Sequence, residues 1–132
     1  MDDRNLVAVA EQAAATARVV HGAREGATAK FEDGRVFLGC RMEFADPALD
    51  VDAITAALAA GRVEGARRVV RVGLYAPQAE GLPRVAPATL LRLRELAAPG
   101  MVLILSGGAG VRAERTLQQL LAEAGLPEPA AS

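Results

Sequence analysis

Few side chains in this sequence can act as acid, base, nucleophile or metal ligand. His21 is the only histidine and Cys40 the only cysteine among 132 residues. A lone thiol and a lone imidazole exclude an intrachain disulfide. They also exclude a soft-ligand metal cluster built by one chain, because zinc takes three or four such donors. Cys40 ends an apolar run, and a buried, inert thiol is the expectation there. His21 stands just past an amphipathic stretch, either as a surface or helix-end residue or as a ligand or base. Asp50 and Asp52 open "DVDAITAALAAG", residues 50–61. One of them is expected to cap a helix; the alternative is a carboxylate cluster that draws on Glu43 and Asp46. Arg41 and Glu43 could contact the hydroxyls of a ligand or pair with each other at a strand end. Arg92 could face an anion or a neighbouring subunit, or be a solvated helix charge. The glycines of "SGGAG" would let backbone amides approach a phosphate, but the Lys-Ser/Thr continuation of a phosphate cradle is missing, so a plain turn is expected.

The elements that must position these groups follow from periodicity. In "NLVAVAEQAAATARVV", Leu6, Val7, Ala10, Ala13, Ala14, Ala17 and Val20 recur at helical spacing, which predicts a helix running to Val20. Asp33-Gly34 lies between two short strand-like runs and predicts a tight hairpin. The 50–61 helix follows, then a strand in "ARRVVRVGLYA" and a loop in "QAEGLPRVA". Pro87 opens a third helix at its first turn, and Pro99-Gly100 stops it. "MVLILS" suits a strand buried on both faces, and "VRAERTLQQLLAEAG" is expected to be one final helix closed by Gly125. This order predicts an α/β domain with three layers, α/β/α, and a mixed, partly parallel central sheet. One domain is expected over residues 1–125, with a disordered tail over 126–132.

Bulk composition narrows the partners. Fifteen basic and sixteen acidic residues nearly cancel, so charge alone collects neither nucleic acid nor anionic membrane. The chain is 52% hydrophobic, yet charges interrupt every apolar run before it is long enough to span a bilayer. The N-terminus "MDDRNLVAVAEQ" lacks the basic start and apolar run of a secretory signal, and a cytoplasmic protein is expected. Three Phe, one Tyr and no Trp leave no platform for stacking several bases.

The Gly26-Ala27 strand start, the Asp33-Gly34 hairpin, Phe37-Leu38-Gly39 and the segment Arg41-Met42-Glu43-Phe44-Ala45 resemble the cytidine deaminase family, including its blasticidin-S deaminase branch. In that family the last segment typically reads Asn-x-Glu-Asn-Ala. The resemblance extends from the first helix to "TLQQLLAEAG" and implies the family's fold. It also implies a zinc held by one Cys or His at one helix start and two Cys at another, with a Glu that shuttles protons to and from zinc-activated water. The Cys-Ala-Glu of the family falls on Asp52-Ala53-Ile54. Its Pro-Cys-x-x-Cys-Arg falls on Pro87-Ala88-Thr89-Leu90-Leu91-Arg92. The family's stacking Phe falls near Ala23, its ribose-binding Asn on Arg41 and its ribose-binding Glu on Glu43. A branched hydrocarbon such as Ile54 cannot carry a proton. The expectation is therefore a degenerate member without metal or other cofactor and without catalytic residues, which binds a nucleoside-like small molecule through Arg41, Glu43, Asp52, Ile54 and Arg92 or serves in assembly. The resemblance implies a homodimer or homotetramer. Metal-free acid/base chemistry in the inherited pocket, and a structural or regulatory role beside an active deaminase, are the alternatives.

Overall fold

The computed structural model describes residues 1–77 and 81–128. Helix α1, Asp3–Ala14, is capped by Asp2, whose side chain accepts from the Asn5 amide. The predicted continuation to Val20 does not form. Thr16 Oγ turns back onto the Ala13 carbonyl, and Arg18 leaves to make a parallel bridge with Met42. Backbone bonds from a distant segment here outweigh the local helical pattern. Strands β1, Gly26–Phe31, and β2, Val36–Cys40, form the predicted hairpin. Gly34 sits at φ +89° in its turn, a conformation that glycine adopts without strain.

A short 3-10 turn, Pro47–Leu49, leads to helix α2, Ala53–Val63. Strand β3 is Val69–Tyr75, helix α3 is Pro87–Leu96, strand β4 is Ala97–Gly108, strand β5 is Val111–Thr116 and helix α4 is Leu117–Glu123. The sheet order is β2-β1-β3-β4-β5, with β3 and β4 parallel and the other neighbours antiparallel. Residues 78–80 of the expected "QAEGLPRVA" loop lie outside the described residues, as do residues 129–132 of the expected tail. At the start of that tail, the Leu126 amide bonds the Leu121 carbonyl at 2.8 Å and its side chain packs on the core.

The single final helix expected over "VRAERTLQQLLAEAG" is corrected to a strand followed by a shorter helix. Residues 111–116 pair with β4, and the helix starts only after Thr116, which forms a reciprocal capping box with Gln119. The free edge of β4 offers main-chain partners that a polar segment can use whatever its helical periodicity.

Alternation along the strands assigns the layers. Ala27, Ala29, Val72, Leu74, Leu103 and Leu105 share the main core with α2, α3 and α4. On the other face, the Thr28 hydroxyl donates to the Leu6 carbonyl of α1 at 2.8 Å, and Tyr75 packs with Ala10 and Ala14. Gly39 lets α2 settle directly on β2: a Cβ there would lie 2.3 Å from the Ala53 carbonyl oxygen. That contact fixes where the first turn of α2 lies.

Candidate functional site

The starts of α2 and α3 face each other at one end of the sheet. At the first, Asp52 is the cap: one oxygen accepts from the Thr55 amide at 3.0 Å and the other from the Thr55 hydroxyl at 2.6 Å. At the second, Pro87 occupies the first turn and no side chain caps the helix. Arg92 joins them, reaching Thr55 Oγ at 3.2 Å and Asp52 Oδ1 at 3.6 Å. Ile54 turns inward and is 2% exposed within the main core. Asp52, Ile54 and Arg92 are thus brought together by the fold, with the Asp as cap, the Arg as bridge and the Ile as core.

Glu25, which the sequence reading passed over, completes this mouth. Its Oε1 accepts from the Ala53 amide, the first of α2, at 2.9 Å. Burial pushes its carboxyl above the ordinary carboxylate range; the Ala53 bond and Arg41 oppose this, while Asp52 and Glu43 add to it. No periodicity marks a glutamate just before a strand, and only the packing of α2 over β1 gives it a role.

Arg41 and Glu43 lie in a second cluster. Glu43 is completely buried. Its Oε1 accepts from the amides of Val20, His21 and Gly22 at 2.8, 3.0 and 2.9 Å. Its Oε2 accepts from the Ala23 amide at 3.3 Å and from Arg41 Nε at 3.0 Å. Four successive amides therefore wrap one carboxylate, and at Gly22 a Cβ would come within 2.7 Å of it. The Val20 amide above all, with the Arg41 side chain and the His21 and Gly22 amides, holds the carboxyl far below its usual range despite burial. Arg41 also reaches Asp50 Oδ2 at 3.3 Å, and His21 Nε2 meets the same oxygen at 2.8 Å. Asp50 Oδ1 accepts from the Phe44 amide at 2.9 Å. Of the two aspartates that open the "DVDAITAALAAG" segment, then, one caps the helix and the other ties a loop. His21 does not end a helix, as α1 stops at Ala14; it belongs to the loop that Glu43 holds. Cys40 is half-buried, its thiol 3.8 Å from the Thr16 carbonyl.

Two places can be tested for a metal. The zinc that the resemblance implies would sit at the two helix starts, where Asp52, Ile54, Ala88 and Leu91 occupy the family's ligand and acid positions. One carboxylate, already engaged by Thr55 and near Arg92, does not fit a three-ligand zinc site. The second place is His21, Glu43 and Asp50, which offer one atom each within 4.8 Å of one another. That spacing could hold a cation, but each carboxylate oxygen there already accepts from an amide, Arg41 or His21. Arg41 also places a fixed positive charge between the two acids, so the donors present suit an ion-pair network better than a cation.

Neither a family model nor a curated protein matches the chain. Solved structures do. The cytidine deaminase of Burkholderia pseudomallei superposes with a TM-score of 0.85 at 24% identity, over 91% of this chain and 96% of that one. The Mycobacterium tuberculosis cytidine deaminase gives 0.76 at 27% identity, over 92% and 94%. The Mycobacterium leprae enzyme gives 0.77 at 20%, over 92% and 98%.

Proposed function

We propose that this chain, which shares the fold of the cytidine deaminases it superposes on, is a zinc-free member of their family that binds a nucleoside-like small molecule and does not deaminate it by the metal route. The observation that carries the reading is the pair of helix starts. Where hydroxide would be generated and a proton carried, the chain places a capping aspartate bonded to Thr55 and an isoleucine packed into the core. A nucleophile needs water polarised by a cation or a base, and neither Ile54 nor Leu91 supplies one.

Asp52 and Arg92 are the ligand-facing residues of this proposal at the helix mouth, and Ile54, packed into the core, can serve only as the floor beneath them. Arg41 and Glu43 are kept as its more distant part, because a ligand hydroxyl reaching them has to compete with the bonds they already make. A cytoplasmic homodimer or homotetramer is part of the same proposal. Among the described residues no helix is long and apolar enough to cross a membrane.

The test is a thermal-shift screen of nucleosides and related heterocycles, with cytidine, deoxycytidine and blasticidin S assayed in parallel for deaminated product. A ligand that prefers the folded state raises its apparent stability, by about 2.7 kcal/mol at a hundredfold excess over Kd. A melting-point rise without product supports the proposal. Ammonia released from a cytosine nucleoside, or one equivalent of zinc in purified protein, refutes it.

A second reading has its own observation. Glu25 is a carboxyl raised by burial beside Asp52, so it keeps its proton to higher pH than an exposed glutamate does. Under that reading the mouth performs metal-free acid/base chemistry. Product formation that is lost in Glu25→Gln and insensitive to chelators would select it. A structural role beside an active deaminase is favoured by the burial of Ile54, and a flat ligand screen would select that.

A further inference from the structure

An open depression lies on the face of the sheet that carries α1, beside the start of that helix, with a volume of about 640 Å3. Its charged lining comes from four separate elements: Arg4 from α1, Lys30 from β1, Arg71 from β3 and Arg112 from β5, against the carboxylates of Asp2 and Asp3. Lys30 and Arg71 are register partners on neighbouring antiparallel strands. Their side chains therefore leave the same face at adjacent positions, an arrangement that costs stability for like charges unless something neutralises it. The acids present are largely spent. Asp2 caps α1 through the Asn5 amide at 2.9 Å. Asp3 pairs with Arg71 at 3.1 Å, and Glu114 of β5 meets the same guanidinium at 3.3 Å. Lys30 is left with the Met1 carbonyl at 3.4 Å, and among the described residues neither Arg4 nor Arg112 has an ion-pair partner.

We propose that this depression binds the phosphate group of a small molecule, with Arg4, Lys30 and Arg112 supplying charge-assisted hydrogen bonds around the Arg71 pair. A phosphate dianion offers several acceptor oxygens and matches guanidinium forks from more than one side. Arg71 is already neutralised by Asp3 and Glu114, so the positive groups left for the anion are Arg4, Lys30 and Arg112. Fifteen basic residues nearly balanced by sixteen acidic ones leave no net field to hold an extended polyanion, which favours one compact anion at this site.

The test is an NMR titration of the full chain with inorganic phosphate at constant ionic strength, chloride making up the balance. Saturable shifts at residues 2–4, 30, 71 and 112 are expected, with affinity weakened by about tenfold or more in Lys30→Gln/Arg112→Gln. If that pair does not fold, Arg4→Gln, on the exposed side of α1, is expected to weaken binding several-fold. Phenyl phosphate run in parallel separates the sources: tighter binding than inorganic phosphate assigns the depression to a phosphorylated molecule, and equal binding assigns it to the free anion. Non-saturating shifts, equal shifts with chloride, unchanged affinity in the variants, or binding of a single-stranded oligonucleotide without binding of phosphate would each overturn the proposal. The outcome is independent of the helix mouth, because uncharged nucleosides leave these residues unshifted whether or not they bind elsewhere.

Discussion

Replacing Ile54 by alanine tests whether hydrocarbon at the mouth of α2 fills space or merely lines it. Ile54 is 2% exposed and belongs to the main core with Ala57, Leu58, Leu90 and Leu93. The substitution removes both γ carbons and the δ carbon. At about 0.8 kcal/mol for each buried carbon group, the transfer contribution is about 2.4 kcal/mol. The void left behind adds to this, since a helix seated on β2 through Gly39 has little room to collapse inward, and a total of about 3 to 4 kcal/mol is expected. For a domain of this size that corresponds to a melting point lower by about 10 to 15 °C. Urea unfolding with an unchanged m-value is the assay, because it separates lost stability from an altered unfolded state. Ile54→Val, which removes one carbon, should cost about 0.5 to 1.5 kcal/mol. A loss below about 1 kcal/mol for Ile54→Ala would mean that the side chain borders an open, hydrated pocket, and its place in the closed core would be refuted.

Three further outcomes follow from the same geometry. The folded carboxyl of Glu43 sits below its unfolded value of about 4.3. Its stabilisation is therefore present above that pH and lost as pH falls through the acid range. Melting curves between pH 6 and 3 should fall more steeply for the wild type than for Glu43→Gln, and parallel curves would show that the carboxylate is not the anchor of the 20–23 loop. Glu25 has the opposite sign, since its folded carboxyl is raised and its cost appears as pH rises above the unfolded value. Glu25→Gln, which keeps an acceptor for the Ala53 amide, should melt higher than the wild type at pH 7 and level with it near pH 3; a lower melting point at pH 7 would contradict the burial argument. Gly39→Ala forces a Cβ within 2.3 Å of the Ala53 carbonyl oxygen, so α2 must lift from β2. A loss of about 2 kcal/mol or more, or insoluble protein, is expected, and wild-type stability would show that the helix seat is not tight.

Several elements were legible because their signals are local. Asp33-Gly34 fixes a hairpin through backbone preference, and Asp52 and Pro87 mark helix starts through the orphan amides of a first turn. The lack of soft metal donors is a matter of counting. The end of α1 was misplaced because Ala17 and Val20 continue a helical period that the chain abandons for a bridge to Met42. Strand β5 was misread for a similar reason. "VRAERT" carries no strong strand preference, and what makes it a strand is the open edge of β4. The sequence did hold one clue, the Thr116-x-x-Gln119 spacing of a capping box, which places the helix start after the strand.

From its own residues the chain determines an α/β fold with a hairpin, two polar-capped or proline-opened helices, and, at the starts of those helices, Asp52, Ile54, Ala88 and Leu91, of which only Asp52 could ligate a metal or carry a proton. Only the tertiary structure decided what the charged residues do: Glu43 is wrapped by amides twenty or more residues away, Glu25 meets the first amide of α2, and Lys30 and Arg71 stand side by side above an open depression. The physical reason is one of range. Turn and cap preferences act over three or four residues, whereas the state of a buried or clustered charge is set by whichever distant groups the packing brings to it.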